Sequence, residues 1–413
     1  MPAEKEKQMI KLHRNICEGI IINLDQIFFK KKFADKAIEQ SLKSNKKWGS
    51  RDRKFIAETT YTIVRYWRLL NEMMGINAEE NSDYLWKLFA EYLLWKNIPL
   101  PEWGEFTSID QNNISIGKNS KLGERKIKES IPDWLDELGE RELGGLWDAE
   151  IAELNKEAPV ILRANTLKIS REVLQRKFLE IGIQTFPIDF TNDALLVEQR
   201  QNLFQTPYFK EGYFELQDAS SQLVANYLDV KPGMRIIDAC AGAGGKTLHI
   251  AALMQNKGKI LALDTEEWKL NELKKRARRD GVDIVETRTI TSSKIIKRLA
   301  DSADRVLLDV PCSGLGVLRR NPDAKWKLSN ERIEELKSLQ QKILESYSSM
   351  VKLNGKIVYS TCSILPSENE LQIENFLAGQ KGKEKFELLE EKKISPAVDG
   401  FDGFYICVLQ RIK

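Results

Sequence analysis

Four short apolar runs, residues 234–239, 259–263, 305–310 and 356–359, alternate with stretches that read as helices. That alternation is the mark of βαβ units and commits this part of the chain to an α/β fold with a mostly parallel sheet. In such a sheet ligands bind beyond the carboxyl ends of the strands, so the residues just after each run matter more than the run itself. The first run leads into Asp238-Ala239-Cys240-Ala241-Gly242-Ala243-Gly244-Gly245-Lys246-Thr247, and the second ends on Asp264. The third leads into Asp309-Val310-Pro311-Cys312-Ser313-Gly314, and the fourth into Ser360-Thr361-Cys362-Ser363. A glycine-rich loop, two acids and two thiols therefore share one sheet edge. The end of the chain, 404–409, follows Gly403 and reads as a closing hairpin strand.

The remainder has a different texture. At 413 residues the chain holds two or three domains. Its first hundred residues read as helical. Ile16, Ile20, Leu24 and Ile27 recur at helical spacing, as do Ile56, Thr60, Ile63, Trp67 and Leu70, with Ser50-Arg51-Asp52 suited to a helix start. Pro99 and Pro101 punctuate the chain, and 104–123 is polar, a linker or surface excursion. A small α+β module follows: strand-like 160–166, a helix over 170–181, and strand-like 194–197. The expected domains are 1–127 (helical, with the linker), 128–215 (the module) and 216–413 (the α/β domain).

Composition excludes several classes of chemistry. Five scattered cysteines form no disulfide framework, and with only His13 and His249 available, a zinc site and a Ser-His-Asp triad are both poorly supported. No metal is expected, and thiols and carboxylates must carry any catalysis. No apolar run is long enough for a membrane span, and Met1-Pro2-Ala3-Glu4-Lys5 lacks a signal-peptide pattern, so a cytoplasmic protein is the expectation. A monomer is expected as well. Net charge is only +3, but Lys30–Lys32, Lys46, Lys47, Arg51, Arg53, Lys54, Arg65 and Arg68 crowd the first seventy residues, with Tyr61, Tyr66 and Trp67 among them. Such a cluster is either a solvated helix face or a surface that tracks phosphates.

Gly245-Lys246-Thr247 imitates the end of a Walker A loop, but the leading glycine of that motif would fall on Cys240. A nucleoside-cofactor loop fits better. Glycines 242, 244 and 245 let the backbone approach a ligand, a helix follows at about Thr247, and Asp264 stands where an acid would accept hydrogen bonds from ribose hydroxyls. This much suits NAD as well as S-adenosylmethionine.

Two thiols beside such a loop point to methyl transfer onto carbon 5 of a pyrimidine. That carbon attacks a methyl donor only after a thiolate has added to carbon 6, and the thiol must later be eliminated as the carbon-5 proton leaves. A second thiol can assist the elimination, and Asp309 is placed to meet the ring edge. Either cysteine alone would read as a buried small hydrophobe, the reading that Cys17 and Cys407 keep; Cys240 packs inside the loop. Which thiol attacks is left open by the residues themselves.

Together the glycine loop 238–247, Asp309–Gly314 and Thr361-Cys362-Ser363 resemble the RNA 5-methylcytosine methyltransferases of the Fmu/Sun/NOP2 type. Leu216-Gln217-Asp218-Ala219-Ser220-Ser221, Arg319-Arg320-Asn321-Pro322-Asp323 and Asn165-Thr166-Leu167 extend the likeness over roughly residues 130–413. Asp52-Arg53-Lys54 before an apolar helix looks like the NusB-like helical domain of the small-subunit rRNA members. The resemblance implies a Rossmann-like methyltransferase domain, Cys362 as nucleophile and Cys312 as the residue that helps release the product. It also implies that S-adenosylmethionine is held by Cys240, Ala241, Gly242, Ala243, Gly244, Gly245, Lys246, Asp264 and Asp309. The substrate implied is RNA, foremost 16S rRNA. The same chemistry on tRNA, a non-catalytic RNA-binding assembly factor, and a nucleotide-hydrolysing factor are the alternatives. Two departures stand out: Ala243 replaces the family's usual proline, and no acid is assigned for the third cofactor motif within Glu286-Thr287-Arg288-Thr289-Ile290-Thr291.

Overall fold

The computed structural model describes residues 12–75, 78–107, 109 and 120–413; the amino-terminal reading at Met1–Lys5 and, within the polar stretch, residues 108 and 110–119 lie outside them. The described chain divides into two units, residues 1–141 with 320–329, and residues 142–319 with 330–413. The α+β module and the α/β sheet thus cluster together in the second unit.

The first unit is built on α1 (Arg14–Phe28), α2 (Ala34–Ser44), α3 (Ser50–Arg65), α4 (Trp67–Met74) and α5 (Ser82–Trp95). Ile20, Leu24, Ile56, Ile63, Leu88 and Phe89 are fully buried in its core, as their spacing requires. The periodic run through Leu70 is not one helix, because the backbone breaks at Tyr66 between α3 and α4. At the start of α3, Asp52 Oδ2 accepts the Gly49 amide at 2.9 Å, satisfying one of the free donors of the first turn.

The basic cluster is partly structural. Arg53 donates to the carbonyls of Trp48, Leu42 and Asn45, Arg65 is buried, and Arg68 bonds Ile131 O and Asp133. The aromatics are packing residues: Trp67 stacks on Phe28 with centroids 3.4 Å apart, and Tyr66 meets Trp95 edge-on. Residues 320–329 complete this unit. Lys325 is buried and donates to Arg65 O at 2.8 Å and Glu129 O at 3.3 Å, while Trp326 Nε1 reaches Val64 O at 2.7 Å.

In the second unit, β1 (Val160–Ala164), β2 (Thr185–Pro187), β3 (Ala194–Val197) and β4 (Phe214–Leu216) form an antiparallel sheet in the order β2-β3-β1-β4. The helix Arg171–Glu180, capped by Ser170, buries Leu174 and Phe178 in the same core as Leu162, Leu195 and Phe214. The large sheet comprises β5 (Arg235–Asp238), β6 (Lys259–Asp264), β7 (Val285–Thr289), β8 (Ala303–Asp309), β9 (Val351–Thr361), β10 (Phe386–Ile394) and β11 (Phe404–Arg411), in the order β10-β11-β9-β8-β5-β6-β7. β5 to β9 run parallel, whereas β11 is antiparallel to both its neighbours, so the sheet is mixed. Ile237, Leu261, Val306, Leu308, Ile357 and Tyr359 face one apolar layer, and Ile236, Ile260, Leu307, Val358 and Ile406 face the other. Burial on both faces explains why the central strands read as near-continuous apolar runs.

Candidate active site

The carboxyl ends of β5, β6, β8 and β9 meet in register, with Asp309 opposite Ser360 and Asp264 opposite Thr289 of β7. After β5 the chain is tied to its neighbours through Ala239 N–H to Leu307 O and Ala241 N–H to Leu263 O, both 2.9 Å. Gly242 (φ 54°) and Gly244 (φ 88°) then take left-handed conformations that favour glycine. The helix Gly245–Leu253 begins two residues earlier than the sequence pattern places it. Thr247 is therefore already helical, and its hydroxyl donates to buried Asp238 at 2.6 Å. A Cβ added at Gly242 or Gly245 would meet nothing within 4 Å, so the loop faces open space at those two positions, whereas one at Gly244 would stand 2.0 Å from Leu273 Cδ1.

Asp264 is held rigidly. Its Oδ2 accepts the Gly242 amide and its Oδ1 the Glu266 amide, each at 2.8 Å. The loop and the acid are thus one hydrogen-bonded assembly, and the carboxylate keeps lone pairs for further donors. Both features fit a nucleoside with ribose hydroxyls. Glu286 does not supply the third-motif acid at this edge: it pairs with Leu261 inside the sheet and binds Lys259 at 2.7 Å and Arg288 at 2.9 Å. Thr289, Ile290 and Thr291 occupy the edge instead, Ile290 N–H donating to Asp264 O at 2.8 Å.

Lys246 Nζ lies 2.7 Å from Asp309 Oδ2, and Ser360 Oγ donates to Asp309 Oδ1 at 3.0 Å. Burial would lower the Lys246 ammonium, but the Asp309 carboxylate overrides it and holds the lysine above its ordinary value. The two sulfurs of Cys312 and Cys362 are 3.3 Å apart. The bond to Cys362, followed by burial, pushes the Cys312 thiol well above its ordinary value, so it stays protonated at neutral pH. Cys240 is also driven up, by burial first and then by Asp238, Asp309 and Asp264, which makes it a packing thiol. Cys17 and Cys407 are fully buried in apolar clusters.

The structure therefore brings the loop 240–246, Asp264, Asp309, Cys312 and Cys362 to one edge. Sequence reasoning missed Glu368 and Asn369, both buried beneath the thiol loops, and Arg276, whose Nη1 donates to Ala243 O at 2.7 Å. A Glu-Asn pair seven residues past a strand end has no local signature; only its burial sets it apart.

The family model described as 16S rRNA methyltransferase RsmB/F matches residues 225–410, and a ferredoxin-like domain of the RsmF/B type matches 131–203. A relative from Synechocystis sp., "Probable ribosomal RNA small subunit methyltransferase B", is 39% identical over 65% of this chain and 59% of its own length. "Ribosomal RNA small subunit methyltransferase B" of Vibrio cholerae is 33% identical over 68% of this chain and 65% of its own. Each match spans less than two thirds of the relative. The crystal structure of PH0851 superimposes with a TM-score of 0.83 at 25% identity, covering 98% of this chain and 100% of that one.

Proposed function

This chain belongs to the 16S rRNA methyltransferase RsmB/F family, and from that premise we propose that it forms 5-methylcytosine in small-subunit rRNA, using S-adenosylmethionine. The observation that carries this reading is the pair of sulfurs 3.3 Å apart beside the Lys246–Asp309 pair. The loop 240–246 and Asp264 would hold the cofactor, which would supply an electrophilic methyl group. Cys362 attacks carbon 6 of an unstacked cytosine, forming a carbon–sulfur bond and making carbon 5 nucleophilic. Lys246, held by Asp309, offsets the negative charge that develops on the ring. After carbon 5 is methylated, its proton passes to solvent, the electron pair left behind re-forms the carbon 5–carbon 6 double bond, and the carbon–sulfur bond breaks with Cys362 leaving as thiolate. Cys312, in contact with that sulfur and protonated, assists the departure. The helical unit and the α+β module would hold RNA backbone and shape.

The decisive experiment uses labelled cofactor and 16S rRNA. Cys362→Ala should abolish methyl transfer, while Cys312→Ala should accumulate a covalent protein–RNA adduct. The reverse pattern would overturn the assignment of the two thiols. Bisulfite sequencing of rRNA with and without the enzyme identifies the modified nucleotide.

A further inference from the structure

Both cysteine loops end on the same dipeptide. Glu368 Oε1 accepts the Ser313 amide at 2.8 Å and Oε2 accepts the Ser313 hydroxyl at 2.5 Å, immediately after Cys312. Asn369 Oδ1 accepts the Thr361 hydroxyl at 2.5 Å, and its Nδ2 donates to Ser363 O at 3.0 Å, on either side of Cys362. The Ser313 and Ser363 hydroxyls lie 3.2 Å apart, closing the circuit between the loops. Gln340 Nε2 steadies the base of the first loop, donating to Pro311 O at 3.0 Å and Glu368 Oε1 at 2.9 Å. Tyr359 OH donates to Glu368 O at 2.8 Å, anchoring the dipeptide to β9. Glu368, Ser363, Thr361 and Gln340 are fully buried.

A buried carboxylate is costly unless its oxygens are satisfied, and here the donors that satisfy it come from the Cys312 loop and from Gln340, whose other bond holds that loop. The carboxylate does not face outward as a reactive group would. We propose that Glu368 and Asn369 are positioning residues for the two thiols, Glu368 fixing Cys312 and Asn369 fixing Cys362, so that the sulfurs stay in contact. Their separate attachments give them separable effects. Loss of the Glu368 bonds frees the releasing thiol, and loss of the Asn369 bonds frees the attacking one.

The kinetic part rests on the proposed methyl transfer, so the primary test avoids RNA and cofactor. Phenylarsine oxide captures two neighbouring thiols: both sulfurs bond to arsenic, and their two protons leave with the oxide oxygen as water. The wild-type protein should be captured at Cys312 and Cys362, as peptide mass spectrometry reads directly, and Cys312→Ala should not. Glu368→Gln and Asn369→Ala should each weaken capture roughly ten- to hundredfold, the scale expected for reacting groups misplaced by about 1 Å. Should either variant fail to fold, Ser313→Ala, which removes one hydroxyl, decides the matter by weakening capture in a protein that still unfolds cooperatively. With rRNA, Glu368→Gln should accumulate adduct as Cys312→Ala does, and Asn369→Ala should form it slowly. Capture at the wild-type level in Ser313→Ala and Asn369→Ala would overturn the clamp. Weakened capture in a protein that never methylates RNA would support the clamp and remove only the functional reading.

Discussion

Cys312 and Cys362 are chemically alike in sequence, and their surroundings make them different. The Cys312 thiol is raised first by its contact with Cys362 and then by burial. Removing the partner in Cys362→Ala takes away the first cause and leaves the second, so the Cys312 pKa should fall toward, without reaching, its ordinary value. The onset of iodoacetamide labelling at Cys312, followed against pH by peptide mass spectrometry, should move to lower pH. An unmoved onset would mean that burial alone sets this thiol. Lys246 gives a second expectation at this scale. Its ammonium is the cation that Asp309 holds at the thiols, so Lys246→Met should lower methyl transfer by about 100-fold, the usual consequence of losing one preorganised electrostatic contact. Single-turnover transfer from labelled cofactor measures it. Lys246 and both cysteines were legible because they sit in motifs at strand ends. Glu368 and Asn369 were not, because a carboxylate buried by tertiary packing looks in sequence like one on a surface.

At the scale of elements, legibility followed position in the sheet. The runs of β5, β6, β8 and β9, and the closing strand β11, stood out in sequence; all five are interior to the sheet order. The two strands that did not stand out are its two edges. β7 reads Val285-Glu286-Thr287-Arg288-Thr289, and β10 carries Glu387, Glu390, Glu391, Lys392 and Lys393. Edge strands face solvent and are charged against mispairing, so the apolar signature is missing where the sheet ends. The same limit hid the break at Tyr66, where periodicity persists across two helices. One glycine ties these elements together. Gly316 N–H donates to Cys362 O at 2.9 Å, Gly403 N–H donates to Gly316 O at 2.8 Å, and a Cβ at 316 would stand 2.1 Å from Gly403 O and 2.9 Å from Cys362 O. Backbone crowds it on two sides, so neither neighbour can yield as a flexible side chain would. Gly316→Ala should cost about 3 kcal/mol by denaturant melting and displace the Cys362 loop, the range typical of overpacking. A melt within about 0.5 kcal/mol of wild type, the range of neutral surface changes, would show that the backbone accommodates the methyl.

Across the whole second unit, the α+β module and the large sheet share a buried polar network. Glu215 of β4 receives Arg276 at 3.0 Å and also Arg279, both from the helix Glu267–Asp280. Asn165 Nδ2 donates to Asp280 O at 2.9 Å, and buried His249, on the helix after the glycine loop, lies 3.3 Å from Asp193 of the module. Burial first, and then the charge of Arg163, push His249 down to about 4 despite Asp193. A histidine depressed in the folded state contributes stability that is fully present above its unfolded value near 6.5. That stability is lost as pH falls toward 4, because the unfolded chain takes up a proton the folded chain refuses. At about 1.4 kcal/mol per unit, the loss from this one group is about 3 kcal/mol. Asp280 and Asp238 act with the opposite sign: burial raises each to about 7, so each binds a proton in the folded state as pH falls and offsets the loss. A single acid titration of the wild type would mix these contributions. Comparison with His249→Gln, which cannot titrate, isolates the histidine. The stability advantage of wild type over that variant, from urea melts at successive pH values, should shrink by about 3 kcal/mol between pH 7 and pH 4. A gap that stays constant across that window would show that His249 titrates alike in the folded and unfolded chain, with Asp193 cancelling the cost of burial.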